Sequence, residues 1–352
     1  MFQDITVEEL LELYRKGEAQ LIDVRSESEY AESTIPGSIN IPIFNDAERA
    51  AVGTLYKQES VDAAKDRGLE IVSAKLPAFI RDIGGDGPKN KIVFCWRGGM
   101  RSRTSATLAS LMGLKMFRLS GGFRAYRKWV VETLDSYTKL PPCYVLNGFT
   151  GTGKTELLAR LQERGYPVLN LEWMAEHRGS IFGHIGKAPS NQKTFDSRLV
   201  HELIRLQNAP YLILEAESKR VGKIVLPEFL VKAKEAGTAL FLEMPVETRV
   251  MNILNDYKPE EHKEDFIRSF ERIEKRIHTP VAAEIRSALE KDDFGEAARL
   301  LLLHYYDPRY QHATEQYKQE RITIAAADLD QALEEIIQRL PKLPTDWTQH
   351  VS

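Results

Sequence analysis

The chain is poor in several things, and each shortage narrows what it can be. Only two cysteines, Cys95 and Cys143, occur in 352 residues. A disulfide framework needs more, so a reducing compartment is expected. No apolar run approaches the roughly 18 residues of a membrane-spanning helix, so no membrane partner is expected. The opening residues, Met1-Phe2-Gln3-Asp4-Ile5-Thr6-Val7-Glu8-Glu9, lack the basic stretch and apolar core of a secretory signal, which points to the cytoplasm. Internal repeats and low-complexity tracts are absent. A global excess of basic charge is missing too. The formal net charge is −3, so a polyanionic partner must be met by a local patch and not by the whole surface.

What is present is ordinary globular material, 43% hydrophobic, long enough for two domains. Thr6 with Glu9 forms a capping-box pattern that opens a helix through Tyr14. Gln20 to Val24 reads as a buried strand, and Ile35-Pro36-Gly37-Ser38-Ile39-Asn40-Ile41-Pro42 as a turn and short strand. Residues 46–83 read as mostly helical. Lys91 to Phe94 is a strand that delivers Cys95, Ser102 to Met112 a helix closed by Gly113, and Met116 to Leu119 another strand. The alternation predicts a parallel α/β sheet over residues 1–135. Residues 136–142, with Pro141-Pro142, read as a linker. A second α/β domain is expected over 143–352, with strands at Cys143 to Leu146, Tyr211 to Leu214, Ala239 to Glu243 and Ile322 to Ala325. From about residue 246 a charged helical extension follows, including one stretch from Glu264 to Ile277, and a last helix runs through Leu340.

The sharpest local signal is Gly148-Phe149-Thr150-Gly151-Thr152-Gly153-Lys154-Thr155. It fits the G-x-x-x-x-G-K-[ST] phosphate-binding pattern, between an apolar strand and the helical stretch Glu156 to Arg164. Gly148, Gly151 and Gly153 let backbone N–H groups turn toward phosphate oxygens, and the helix N-terminus adds positive partial charge. Lys154 would pair with the terminal phosphate. The Thr155 hydroxyl suits a Mg²⁺ ion, with Glu215, at the end of an apolar strand, as a candidate carboxylate ligand. The pattern specifies phosphate or diphosphate and not ATP in particular, and neither an N-K-x-D-type guanine reader nor an adenine signature is found.

The second signal is Cys95-Trp96-Arg97-Gly98-Gly99-Met100-Arg101-Ser102, a loop between a strand and a helix. Backbone N–H groups at a helix N-terminus favour thiolate over thiol, so Cys95 is expected to be an accessible, reactive cysteine. Arg97 and Arg101 would bind an anionic donor. From Cys95 to Val131 there are eight Lys or Arg residues and no Asp or Glu. That local excess suits a phosphate-bearing partner, including a nucleic acid backbone, with Arg103, Arg118, Arg124, Arg127 and Lys128 as candidate contacts. Cys143, on the strand feeding the phosphate loop, reads as core.

The first domain resembles a rhodanese module. Leu21-Ile22-Asp23-Val24-Arg25 with Glu29-Tyr30 and the Ile35 to Pro42 segment match its N-terminal signature, Cys95 falls at the sulfur-carrying position, and Leu119-Ser120-Gly121-Gly122-Phe123 matches the later Gly-Gly turn. Thr34 stands where a histidine often precedes the Ile-Pro-Gly. The fusion of this module to a phosphate loop resembles the tRNA 2-selenouridine synthase family, with further matches at His177-Arg178-Gly179-Ser180, Phe182-Gly183, Pro189-Ser190-Asn191-Gln192-Lys193 and Glu215-Ala216-Glu217-Ser218-Lys219-Arg220. This resemblance implies selenotransferase and geranyltransferase chemistry on tRNA. Sulfur of wobble 2-thiouridine is replaced by selenium from selenophosphate, through an S-geranylated intermediate made from geranyl diphosphate. It further implies that Gly151, Gly153, Lys154 and Thr155 cradle the diphosphate and that Cys95, with Arg97 and Arg101, serves selenation. No tightly bound cofactor is expected.

Three other functions remain open from the residues. Cys95 and Arg101 have the C-x5-R spacing of a phosphatase, although Phe94 replaces the histidine common before such a cysteine. An ATP-dependent tRNA sulfurtransferase or P-loop kinase would use the same phosphate loop. A non-catalytic binding module is the third, against which stands the tendency of an accessible thiolate to oxidise unless it is used.

Overall fold

The computed structural model describes residues 1–309, 321–344 and 347, so the last part of the expected 143–352 domain lies partly outside the described residues. These divide into two compact units, Met1–Ser136 with Asp196–His201, and Tyr137–Phe195 with Glu202–Ser352. Both are α/β, as the sequence predicts. Among the described residues no helix is long and apolar enough to cross a membrane.

In the first unit the chain runs β1 (Gln3–Ile5), α1 (Val7–Arg15), β2 (Ala19–Asp23), α2 (Glu27–Glu32), β3 (Ile39–Asn40), α3 (Asp46–Gln58), α4 (Val61–Gly84), β4 (Asn90–Phe94), α5 (Met100–Leu111), β5 (Lys115–Leu119) and α6 (Gly122–Ser136). The capping box forms as expected. The Thr6 side chain accepts from the Glu9 N–H, and the Glu9 carboxylate accepts from the Thr6 N–H. The five strands pair in the order β1-β5-β4-β2-β3, all parallel. A parallel sheet with both faces covered needs near-continuous apolar strands. Leu21, Ile22, Ile92, Val93 and Phe94 satisfy that and are fully buried. The central strand, β4, ends at Phe94 and delivers Cys95 as the next residue.

The second unit repeats the plan. It runs β6 (Cys143–Gly148), α7 (Lys154–Glu163), β7 (Val168–Leu169), α8 (Leu171–Ala175), α9 (Gln192–Arg205, of which Asp196–His201 count with the first unit), β8 (Leu212–Glu215), a hairpin of β9 (Arg220–Val221) and β10 (Ile224–Val225), α10 (Glu228–Ala236) and β11 (Thr238–Glu243). The helical extension is α11 (Val246–Tyr257), α12 (Lys263–Glu271), α13 (Thr279–Glu290) and α14 (Phe294–Leu301), before β12 (Arg321–Ala325) and α15 (Leu329–Arg339). The parallel order is β12-β11-β6-β8-β7, so the strand feeding the phosphate loop is again central. The stretch expected as one helix from Glu264 to Ile277 stops at Glu271 and continues only as a 3₁₀ turn, Glu274–Arg276. Its separate core gathers Phe182, Phe266, Phe270, Ile285, Phe294 and Leu301.

Candidate active site: a cysteine loop and a phosphate loop

Ligands of open parallel sheets bind beyond the carboxyl ends of the strands. Cys95 and Gly148 both occupy that position, each in its own unit.

The cysteine loop is shaped by backbone contact with the Gly121-Gly122 turn. Phe123 N–H donates to the Cys95 carbonyl and Arg124 N–H to the Trp96 carbonyl, each at 2.9 Å. The approach is so close that a Cβ on Gly122, at φ +60°, would lie 2.2 Å from the Cys95 oxygen. Only glycine fits there. Beneath the turn, Arg25 is buried 4.2 Å from the Phe123 ring centroid and bonded to Asp23 at 2.6 Å. A second partner of Asp23 is Thr34, whose hydroxyl donates at 2.9 Å. The residue that departs from the rhodanese pattern thus still holds that carboxylate.

Cys95 is only 4% exposed, which corrects the expectation of an accessible thiol. Its Sγ turns inward to 3.2 Å from the Ser102 hydroxyl on the first turn of α5. Trp96, Arg97 and Met100 form the exposed rim of the loop. Arg101 is engaged by the Glu29 carboxylate, with Nη2 at 3.1 Å from Oε1. Burial opposes ionisation of Glu29 most strongly, but the hydrogen bonds and charge of Arg101, the Ser26 N–H and the charge of Arg49 together outweigh it and hold the carboxyl below its ordinary value. Of the other basic residues, Arg103, Arg124 and Lys128 are exposed. Arg118 pairs with Asp4 at 2.6 Å, and Arg127 with Asp196 at 3.1 Å. Cys143 is core as expected, and burial pushes its thiol up to about 11.

In the second unit Gly148, Gly151 and Gly153 have φ of +150°, +83° and +70°, the left-handed range that lets the loop turn its amides inward. No side chain caps the start of α7, so its first N–H groups are left to serve a ligand. The Lys154 ammonium sits over the loop and donates to the carbonyls of Gly148 (3.0 Å) and Phe149 (3.1 Å). From outside, buried Arg249 donates to the Thr150 carbonyl at 2.8 Å while paired with Asp307, and Asn252 donates to the Gly151 carbonyl at 3.0 Å. The loop opens on a cavity of about 1040 Å³ whose lining includes Lys154, Thr155, Glu172, Lys187 and Glu217.

The carboxylate that meets Thr155 is Glu172, whose Oε2 accepts from the hydroxyl at 2.5 Å. Glu215 lies one layer deeper, with its Oε1 accepting from the Glu172 N–H at 2.5 Å. Burial, reinforced by the nearby Glu172 charge, raises Glu215 well above the carboxylate range. Burial and the same neighbour push Glu217 up to about 8. Sequence reasoning missed Glu172. The signal was there, an apolar Pro167-Val168-Leu169 run followed by a carboxylate, but a strand of two residues is too short to show periodicity. Among the described residues, no group of three or more His, Cys, Asp or Glu is arranged to hold a metal ion.

A rhodanese-like sheet with its cysteine loop, joined to a P-loop α/β domain, defines the chain as a rhodanese–P-loop fusion. The family model described as Rhodanese-like domain matches residues 6–128, and that described as tRNA 2-selenouridine synthase AAA domain matches residues 141–342. A tRNA 2-selenouridine synthase of Shewanella woodyi is 31% identical over 339 residues, covering 86% of this chain and 89% of that protein. Those of Bordetella petrii and Nitrosomonas europaea are each 34% identical, covering 87% and 72% of this chain and 89% and 67% of their own. The chain belongs to the tRNA 2-selenouridine synthase family.

Proposed function

We propose that this protein is a tRNA-modifying enzyme that replaces the sulfur of wobble 2-thiouridine by selenium, with selenophosphate as donor and an S-geranylated intermediate made from geranyl diphosphate. The observation that carries this is the coexistence, in a chain of this family, of a phosphate loop opening on a large cavity and a cysteine loop with an arginine at its exposed rim.

In the first step the 2-thio sulfur attacks C1 of the geranyl group, and the C–O bond breaks with its electron pair leaving on diphosphate. Gly151, Gly153 and Lys154 hold that diphosphate, and the ammonium with the first turn of α7 stabilises the growing negative charge. Thr155 and Glu172 are the residues that would hold a Mg²⁺ ion. One hydroxyl and one carboxylate fit an ion that takes its remaining ligands from phosphate and water. Bound there, it would supply charge neutralisation to the leaving group.

In the second step the selenium of selenophosphate attacks C2 of the base, the C2–S bond breaks with its electron pair leaving on geranylthiolate, and water takes the phosphoryl group so that the P–Se bond breaks and phosphate is released. Cys95 serves this step, with Arg97 at the loop rim and the charge of Arg101 drawing in selenophosphate. Arg103, Arg124 and Lys128, exposed on the same unit, are the tRNA backbone contacts, whereas Arg118 and Arg127 contribute through their ion pairs to the surface that presents them.

The test is nucleoside mass spectrometry on purified protein with tRNA bearing wobble 2-thiouridine, geranyl diphosphate and selenophosphate, each donor also omitted in turn. A geranylated nucleoside without selenophosphate, converted to selenouridine when it is added, is the expected result. Unchanged tRNA from folded, thiol-reduced protein would overturn it and turn attention to ATP-dependent sulfur transfer.

A further inference from the structure

The segment from His177 to Gly183 takes no part in the geranyl and selenium steps. It opens a loop, residues 177–187, that is firmly held within the second unit. Phe182 and Ile185 are buried and anchor it in the core of the helical extension. Across its neck the Arg178 N–H donates to the Gly183 carbonyl at 3.1 Å, and Arg178 Nη1 donates to the Ile185 carbonyl at 2.9 Å. A Cβ on Gly183 would lie 1.7 Å from the Arg178 oxygen, so the neck closes only around glycine. The loop ends at Lys187, whose N–H donates to the His184 carbonyl at 3.1 Å. This lysine is half-buried and lines the phosphate-loop cavity.

We propose that Lys187 is a second cationic contact for a diphosphate whose first phosphate is held by Gly151 to Thr155. The inference rests on the reading that the loop takes a diphosphate donor, and it adds the residue that would tell diphosphate from monophosphate.

The surroundings of Lys187 leave its ammonium to an external anion. Among the described residues it has neither a hydrogen-bond nor an ion-pair partner. The carboxylates near enough for their charge to register on it are Asp256, Glu172 and Glu176, and each is engaged elsewhere. Asp256 takes Arg178 at 2.7 Å, Glu172 takes the Thr155 hydroxyl at 2.5 Å, and Glu176 takes the Ser190 hydroxyl at 3.2 Å. Burial, and after it the Arg178 charge, lowers the Lys187 pKa, and these carboxylates do not offset the shift. A partly desolvated charge without a partner is costly, and a bound anion would remove that cost. The other basic side chains on the wall are occupied. Arg160 and Arg321 are paired with Glu156 and Glu243, while Lys234 and Arg309 donate to main-chain carbonyls.

Glu172 links Lys187 to the phosphate loop. It holds Thr155 on the first turn of α7, and its charge is among those felt at Lys187. The loop itself offers the Lys154 ammonium and a helix terminus worth about half a charge, which leaves much of the charge of a diphosphate unmatched. The cavity, at about 1040 Å³, has room for more than one phosphate. A single phosphate seated in the loop has no need of Lys187, whereas a second one does.

Equilibrium binding of inorganic pyrophosphate and of inorganic phosphate to the full chain tests this. Wild-type protein is expected to prefer pyrophosphate by about tenfold or more. Lys187→Gln is expected to weaken pyrophosphate binding about tenfold while phosphate stays within about twofold of wild type, which also reports an intact loop. Lys187→Arg, which keeps the charge, is expected to hold pyrophosphate within about threefold. Pyrophosphate binding untouched by Lys187→Gln would overturn the proposal. An equal loss of phosphate and pyrophosphate would do the same, since it marks a lysine that only supports the fold. A fall in tRNA affinity with pyrophosphate unchanged would make Lys187 an RNA backbone contact and also sink the proposal. Wild-type protein that forms no geranylated nucleoside, yet binds pyrophosphate through Lys187, would overturn the geranyl transfer and leave this subsite standing.

Discussion

The Thr155 hydroxyl donates to Glu172 Oε2 at 2.5 Å, and this bond ties the first turn of the P-loop helix to a carboxylate that is itself held in place. Glu172 Oε1 accepts the Gly179 N–H at 2.5 Å, and the Glu172 N–H is taken by Glu215. Glu172→Ala is expected to lower geranyl transfer by about 10- to 100-fold. Conversion of tRNA already carrying S-geranyl-2-thiouridine is expected to be unchanged. Mass spectrometry of the two half-reactions measured separately checks this, and equal loss in both would place Glu172 outside the first step.

Lys154→Ala is expected to reduce geranyl transfer by about 100-fold or more, since one preorganised donor to a developing anion is worth that much. Cys95→Ala is expected to leave geranyl transfer intact and to stop selenation. Initial rates of each half-reaction, read on the same two variants, give opposite patterns if the two units divide the chemistry. Loss of geranyl transfer in folded Cys95→Ala protein would refute the division.

Gly122→Ala is expected to destabilise the first unit by about 2–3 kcal/mol and to remove the Cys95-dependent step. The new Cβ would collide with the Cys95 carbonyl at 2.2 Å, in a backbone at φ +60°. Gly99→Ala is the control. Its Cβ meets nothing within 4 Å, and its cost is expected to stay within about 0.5 kcal/mol. Urea unfolding followed on both variants distinguishes collision from the mere presence of a methyl group in the loop.

His201 gives the fold a pH dependence. Burial, with a smaller contribution from Arg15, lowers its imidazole to about 4, and its Nε2 lies 3.0 Å from the Tyr126 hydroxyl. The unfolded chain takes up this proton near pH 6.5 and the folded chain only near 4. The stability His201 contributes is therefore complete above about pH 6.5 and is lost as pH falls from 6.5 toward 4, at no more than about 1.4 kcal/mol per pH unit. His201→Gln is expected to flatten the stability profile in that window. Urea midpoints from pH 7 to pH 4 check this, and identical slopes in both proteins would exclude the assignment.

The sequence revealed what is local. Thr6 with Glu9, and the strand–loop–helix around Lys154, are patterns whose geometry lies within a few residues, and the structure forms both. Asn191, within a segment matched to the family, is the N-cap of α9 and accepts from the Thr194 N–H at 3.0 Å. What escaped depends on distant partners. The basic residues from Arg97 to Lys128 look alike in sequence, yet Arg118 is engaged by Asp4 at a separation of 114 positions. Cys95 turns its Sγ to 3.2 Å from the Ser102 hydroxyl, and its loop is held from Phe123, 28 positions on, whose N–H donates to the Cys95 carbonyl. Glu172 opens the short helix α8 after a strand, β7, too short to read, while Glu215, on a clear strand, was the carboxylate the pattern offered.

The phosphate loop is eight residues of sequence but is not a self-contained cassette. Arg249 and Asn252 grip its carbonyls from α11, Asp307 secures Arg249, and the position of a Cβ on Gly153 would fall 2.4 Å from Leu329 on α15. A fragment ending before residue 246 would keep every letter of the motif and lose its scaffold. Grafting the loop onto another strand and helix would carry the signature without the grip, so the smallest portable phosphate-binding part of this protein is the whole second unit.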